Sequence, residues 1–465
     1  MIQSLTPKAT PKNIIVVGAG LAGLSAAFEL SHGGHKVTVL ETKSQPGGRV
    51  CTLRQPFSDG LYAELGGEYF YPTTPDFALA YIQYFGLEVL PLLVEGQTAI
   101  TYLRNQRLNL SPHQTIPWPL ELAPEEQELG SNGLRQRYLW EPHKKLFQTP
   151  SASWSYDLLN PYDAHSFTSL LKESGASPAA IELLRLLDFD FIGEEAEKTS
   201  ALELIGDRAK FSQFRQPFYA INGGNDILPH RLAESLPVPV QYGTTAVKIE
   251  HSLEGITVEV VQHNTKRTVR GDYLILALPF SVLKHIPIVP ELSPNKTQVI
   301  HSLPYSSVCR VYFQTGEKFW QKEGINGFGF TDLPINYFWE SSWRQNTQKG
   351  ILQAYASGIT ARAMAHMEDR KRKSFALDQA QKVFPNIHDH LELSVSHSWD
   401  EDVAANGGYS MYVPGTLKTV GTCIGKPEGR IHFAGEHTAP FHLHATMQGA
   451  LESGIRAAKE VHEKD

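Results

Sequence analysis

Apolar positions along this chain follow two different periods. Ile14 to Val17 make a short, continuous, β-branched run that stops at Gly18, the pattern of a strand buried on both faces. Residues 21 to 32 are rich in alanine and leucine, and Val37 to Leu40 make a second apolar run that ends at Glu41. Together they predict a strand, a helix over 21–32 and a second, parallel strand. Further on, SPAAIELLRLLDF (177–189) spaces its apolar residues helically behind a serine cap, and a helix is predicted there. SSVCRVYFQ (306–314) reads as a strand. Residues 105–151 are rich in Pro, Gln and Glu with weak periodicity, and read as an irregular insertion. The opening MIQSLTPKATPK is polar and holds two prolines, so residues 1–10 read as a disordered tail and not as a signal peptide.

Totals narrow the class. At 465 residues the chain exceeds one core and predicts two or more domains. A net charge of -7 argues against nucleic acid as a partner. No run of 18 apolar residues exists, so no membrane span is predicted. Cys51, Cys309 and Cys423 are far apart, which fits a reducing, cytoplasmic setting. HFAGEHTAPFHLH gathers four histidines, but their spacing matches no common zinc pattern, and no metal is expected.

The glycines of the first unit carry chemistry. Gly18, Gly20 and Gly23 form G-x-G-x-x-G between strand and helix. The first permits a tight turn, the second lets backbone approach a pyrophosphate, and the third lets the helix pack on the strand. Leu21 and Ala22 open the helix whose N-terminus points at the phosphates. Glu41, 18 residues after Gly23, is placed to accept from a ribose and disfavours a 2′-phosphate. A second glycine loop, Gly47, Gly48 and Arg49, follows at once. That order is the one seen in flavoproteins, and it points to FAD and not NAD.

Here the chain resembles the flavin-containing amine oxidases: monoamine and polyamine oxidases, L-amino-acid oxidases and lysine-specific demethylases. The resemblance rests on five blocks in order: 62–89, 221–236, 272–284, 398–415 and 429–461. It implies an α/β chain in which a Rossmann-like, doubly wound FAD-binding domain (11–80, 206–285 and 396–465) is interleaved with an α+β substrate-binding domain (81–205 and 286–395). It also implies a small-molecule amine or amino-acid substrate, O2 as electron acceptor and a possible homodimer.

Site residues are carried over by match. Lys284, ending DYLILALPFSVLK, matches the lysine that holds a water against flavin N5. Tyr409 matches one wall of the aromatic sandwich lining the amine's approach. Thr446 falls where monoamine oxidases carry the opposite tyrosine, so that wall is missing or supplied from elsewhere. Gly408 falls where those enzymes carry a flavin-bonding cysteine, so noncovalent FAD is expected. Gly435 and Glu436 match the strand end and carboxylate that hold the ribityl chain. Thr446 and Met447 begin the helix expected to face the N1–C2=O edge, and Val247 matches the residue whose backbone binds adenine. Gly66 and Gly67, in LGGEYFY, belong to the loop beside the cofactor.

Substrate specificity is less legible. An amino-acid oxidase needs a cation for the carboxylate, commonly a bidentate arginine, and LGGEYFY offers Glu68 and Tyr69 in its place. Arg310, Arg344 and Arg362 remain as candidates, and Trp339 in NYFWESSW is a candidate cavity residue. The sequence thus favours the oxidation of an amine or polyamine to an imine with release of H2O2. L-amino-acid oxidation and a non-amine desaturase or oxidase are the alternatives.

Overall fold

The strands Asn13–Val17 and Lys36–Leu40 pair in parallel, with Val17 opposite Leu40, as the two apolar runs require. In a computed structural model that describes residues 2, 5–8, 10–92, 98–110, 116–188, 192–205 and 217–464, they join Tyr273–Leu276 and Ile431–Phe433. All four form one parallel sheet, in the order 431–433, 273–276, 13–17, 36–40. The expected segment boundary at 206 lies outside the described residues.

The helix Leu21–His32 covers this sheet and packs along Met447–His462. The approach is close because of Gly454: a Cβ there would lie 2.1 Å from the carbonyl of Ala22. Ser25 donates across the same contact to the carbonyl of Leu451 at 3.2 Å. Thus residues 426 apart in sequence share one hydrogen bond, and the two ends of the chain build one layer.

A larger, mostly antiparallel sheet of seven strands holds Leu391–Ser398, Val308–Thr315, Gly350–Ser357, Tyr337–Glu340, Ile325–Thr331, Thr98–Leu103 and Gln106–Leu110 in that order. Its register places Arg310, Tyr355 and Tyr337 side by side on three neighbouring strands. A third sheet contributes Thr244–His251. The cavity described below lies among these three sheets.

Two expectations need correction. Residues 105–151 are not irregular: they hold the strand Gln106–Leu110 and the helices Pro124–Arg135 and Lys144–Gln148, with a π-helical turn at Gln136–Trp140 (111–115 are outside the described residues). Leu134, Tyr138, Leu139 and Leu146 are buried, too sparse a set to stand out from the Pro, Gln and Glu around them. Nor is the N-terminal segment wholly loose. Ile2 and Leu5 pack on the core around the helix Leu21–His32, and the Lys8 N–H donates to Gly33; residues 1, 3, 4 and 9 lie outside the described residues. The predicted helix is present as Pro178–Asp188, with Phe189 outside the described residues.

Candidate active site

One continuous cavity of about 600 Å³ joins the glycine turn to the face of the large sheet. At one end are Glu41 and the segment Thr244–Ala246; at the other are Arg310, Tyr337, Tyr355 and Tyr409. Gly18, Gly20, Leu21, Ala22, Gly48 and Arg49 line its middle.

The three glycines of the turn are required for three different reasons. Gly18 has φ +106°, and a Cβ there would lie 2.7 Å from the carbonyl oxygen of Ala277. A Cβ at Gly23 would lie 1.9 Å from the carbonyl of Gly18. At Gly20 a Cβ would meet only the Gly47 carbonyl, at 3.9 Å. That position is open to the protein and closed only to whatever occupies the cavity, as a pyrophosphate approach demands.

Glu41 is buried and accepts from the backbone N–H groups of Ala19 at 2.7 Å and Lys43 at 2.8 Å. Burial raises its pKa against those two donors. The second glycine loop docks on the first, Gly47 N–H donating to Ala19 at 2.8 Å. It delivers Arg49, whose Nη1 donates to the carbonyl of Gly408 at 2.6 Å and to Glu436 at 2.8 Å. Burial opposes the charged form of Glu436, but Arg49 and neighbouring histidines bring its pKa down to about 2. It is a carboxylate at any ordinary pH.

The far end is walled by aromatic rings. Tyr69 stacks on Phe218 with centroids 5.3 Å apart and rings nearly parallel. Tyr69, Tyr71, Tyr337, Tyr355 and Tyr409 all line the space. Among the described lining residues at this end, one is a cation. Arg310 is 8% exposed; its Nη1 donates to the carbonyl of Glu64 at 2.9 Å and faces Glu68 at 3.3 Å. Its guanidinium lies 5.2 Å from the centre of the Tyr355 ring. Its Nε is buried with no hydrogen-bond partner among the described residues.

The model of the flavin-containing amine oxidoreductases matches residues 21–462. The chain belongs to that family. Among relatives of this amine oxidoreductase, the Bacillus subtilis protein named "Putative L-amino-acid oxidase YobN" is 32% identical, over 99% of this chain and 96% of its own length. An L-amino-acid oxidase of Protobothrops flavoviridis is 29% identical, over 99% and 90%. Among solved structures, a triple mutant of putrescine oxidase superposes with a TM-score of 0.83 at 21% identity, covering 97% of this chain and 98% of that one. Cyclohexylamine oxidase of Brevibacterium oxydans gives 0.78 at 20%, covering 98% and 99%. These superpositions bear on the fold: an α/β architecture with a Rossmann-like cofactor domain.

Several site expectations for this oxidoreductase move. Lys284 is exposed at the C-terminus of the short helix Phe280–Leu283 and does not line the cavity. Pro279 starts a helical turn whose inner face presents Val282 and Ile286 to the cavity, which leaves Lys284 on the solvent side. The basic side chain in the chamber is Arg310. Val247 is half-buried outside the lining, which Thr244, Thr245 and Ala246 supply. Trp339 lies behind the wall, 6.0 Å from Tyr69 and 6.2 Å from Tyr337, and supports both.

The other expected residues sit at the cavity. Gly66 and Gly67 line the cavity: a Cβ on Gly66 would lie 1.8 Å from the carbonyl oxygen of Arg49, and one on Gly67 2.6 Å from the sulfur of Met447 at the helix start. Gly435, Glu436 and Met447 line the space, and Glu68 does so in its pair with Arg310. Thr446 lines it too, but its hydroxyl is engaged in capping, accepting from Gly449 N–H at 3.0 Å and donating to Leu443 at 2.6 Å. Sequence reasoning did not single out Tyr337, Tyr355, Glu203, Ser410 or His444. Arg310 had a legible signal: one charge in the apolar strand VCRVYF.

Proposed function

We propose that this oxidoreductase binds FAD noncovalently and oxidises the α C–N bond of an L-amino acid, with O2 as the acceptor. The residues present suit FAD. Glu41 stands at the nucleoside end, the open face of Gly20 and the start of Leu21–His32 suit a pyrophosphate, and the cavity continues past Gly67 and Met447 to the tyrosine-lined end. None of the three cysteines lines the cavity, which supports noncovalent binding. When bound, FAD supplies the hydride acceptor and passes the electrons on to O2 as H2O2.

The observation that carries the substrate class is the Arg310–Glu68 pair in the aromatic chamber. A paired cation and anion complement a zwitterion: the guanidinium faces a carboxylate and the carboxylate faces an ammonium. A dication such as a polyamine meets the permanent charge of Arg310 and finds Glu68 already neutralised. The tyrosine walls exclude water and align the substrate. The curated relatives named above support the same class.

A second reading is an amine without a carboxylate, favoured by the single arginine among the described residues of the chamber's substrate end. The three free cysteines support a reducing, cytoplasmic setting; no helix among the described residues is long and apolar enough to cross a membrane.

Anaerobic bleaching of the flavin band against L-amino acids, D-amino acids, monoamines and polyamines tests the proposal. Rapid bleaching by L-amino acids alone supports it. Bleaching by polyamines alone overturns the substrate class, and a colourless protein overturns the cofactor.

A further inference from the structure

One stretch of cavity wall carries a string of titratable groups with no part in holding the substrate. His444 and Glu203 both line the cavity and Ser410 is fully buried behind them. Ser410 Oγ lies 2.7 Å from His444 Nε2 and donates to Glu436 Oε2, also at 2.7 Å. Glu436 continues to Arg49 at 2.8 Å. On the other side, His444 Nδ1 faces Glu203 Oε2 at 3.9 Å, while Glu203 Oε1 accepts the N–H of Tyr412 at 2.5 Å.

The hydrogens of this string can be counted. A serine hydroxyl has one proton, and a carboxylate only accepts. Glu436 is ionised, with its pKa near 2, so the Ser410 proton points to Glu436. The Ser410 oxygen must then accept from His444 Nε2–H. That fixes the tautomer and turns Nδ1 toward Glu203. With a neutral ring, a lone pair faces a carboxylate; with one more proton, the contact becomes a charge-assisted attraction.

Position adds the second half. Ala445, at φ 59°, turns the chain sharply between His444 and Thr446, the cap of Met447–His462. The imidazole therefore sits beside the helix start whose dipole favours negative charge in the cavity. Around it are Glu203, Glu436, Arg49 through Glu436, the Tyr412 ring at 4.5 Å, and His437, which burial keeps neutral.

We propose that the His444–Glu203 pair takes up one proton when the flavin receives two electrons. The inference rests on flavin binding and is independent of the substrate class. The reductant supplies two electrons, one proton goes to the cofactor and a second enters from solvent at His444 Nδ1. On reoxidation, two electrons and both protons leave with O2 as H2O2, so the balance closes.

The test is the pH dependence of the flavin midpoint potential, measured by reductive titration with redox dyes on the holoenzyme between about pH 6 and pH 8. For a two-electron couple each tenfold change is about 30 mV. One proton gives a tenfold change per pH unit, and two give a hundredfold change, about 60 mV. The wild type is expected to show the hundredfold slope. His444→Asn, which keeps an N–H for Ser410, and Glu203→Gln, which keeps an acceptor for Tyr412, are expected to show the tenfold slope with unchanged flavin content and spectrum. A tenfold slope in the wild type, or an unchanged slope in the variants, overturns the proposal. If His444→Asn fails to fold, Glu203→Gln carries the same test. A wild type without flavin overturns the reading of the site instead.

Discussion

Arg310 and Tyr355 stand opposite each other in the register of adjacent antiparallel strands, with the guanidinium 5.2 Å from the ring centre. The pairing fixes a permanent charge in an aromatic wall, beside the half-buried carboxylate of Glu68.

Removing half of that pair is expected to be costly. Arg310→Met leaves the half-buried Glu68 with only Arg344 nearby and should lower unfolding stability by about 1–3 kcal/mol. Arg310→Met with Glu68→Leu should restore most of it while leaving kcat/KM for L-amino acids on the order of a hundredfold down, the worth of a lost charged hydrogen bond. Urea unfolding of both variants, with kinetics of the double variant, checks this. Equal stability of single and double variants would show that the two charges are not coupled.

Gly20→Val and Gly23→Ala are expected to fail differently. The first should fold, with wild-type circular dichroism, but remain colourless, because its side chain enters the cavity. The second should fail to fold, because its Cβ would lie 1.9 Å from a carbonyl oxygen. A yellow Gly20→Val protein would refute the phosphate-facing role of the turn.

Lys284→Met should leave the rate of flavin reoxidation by O2 within about twofold, since an exposed side chain away from the chamber contributes little. Stopped-flow mixing of reduced enzyme with O2 decides it. A large drop would mean that the lysine reaches the cavity in solution.

Acid should destabilise the fold through neutral histidines, His437 buried and His397 half-buried. Burial lowers the pKa of His397 to about 4 and that of His437 to about 3 from an ordinary 6.5. Below 6.5 the unfolded chain binds protons that the folded one refuses, so stability is full above about pH 6.5 and falls toward pH 4. The slope reaches about 1.4 kcal/mol per pH unit for each group. Urea midpoints across this range measure it, and His437→Phe should flatten part of the decline. A midpoint flat from pH 7 to pH 4.5 would contradict the burial.

The sequence was most readable where backbone conformation alone decides the residue. Gly18 and Gly23 announce their geometry because no other side chain fits, Gly20 between them keeps the cavity side clear, and Glu41 follows at a distance set by one helix. The chamber was read poorly because it is assembled by lateral register. Tyr337, Tyr355 and Arg310 lie on neighbouring strands, and nothing local says they meet. Lys284 misled for the converse reason: the match of its segment left open which face of a four-residue helix it would take. The histidines near the C-terminus looked like one cluster in the sequence and part company in space, His432 to Glu460, His437 against Phe280 and His444 to the cavity.

The contact between Leu21–His32 and Met447–His462 has a consequence for biogenesis. Gly20 and Met447 border the same cavity but leave the ribosome 427 residues apart. At roughly 5–20 residues per second, the interval is on the order of 20–90 s. During that time the glycine turn exists without the helix that closes over it. Cofactor loading is therefore a late event that follows synthesis, and the nascent first unit must keep a large apolar face covered by other means until then.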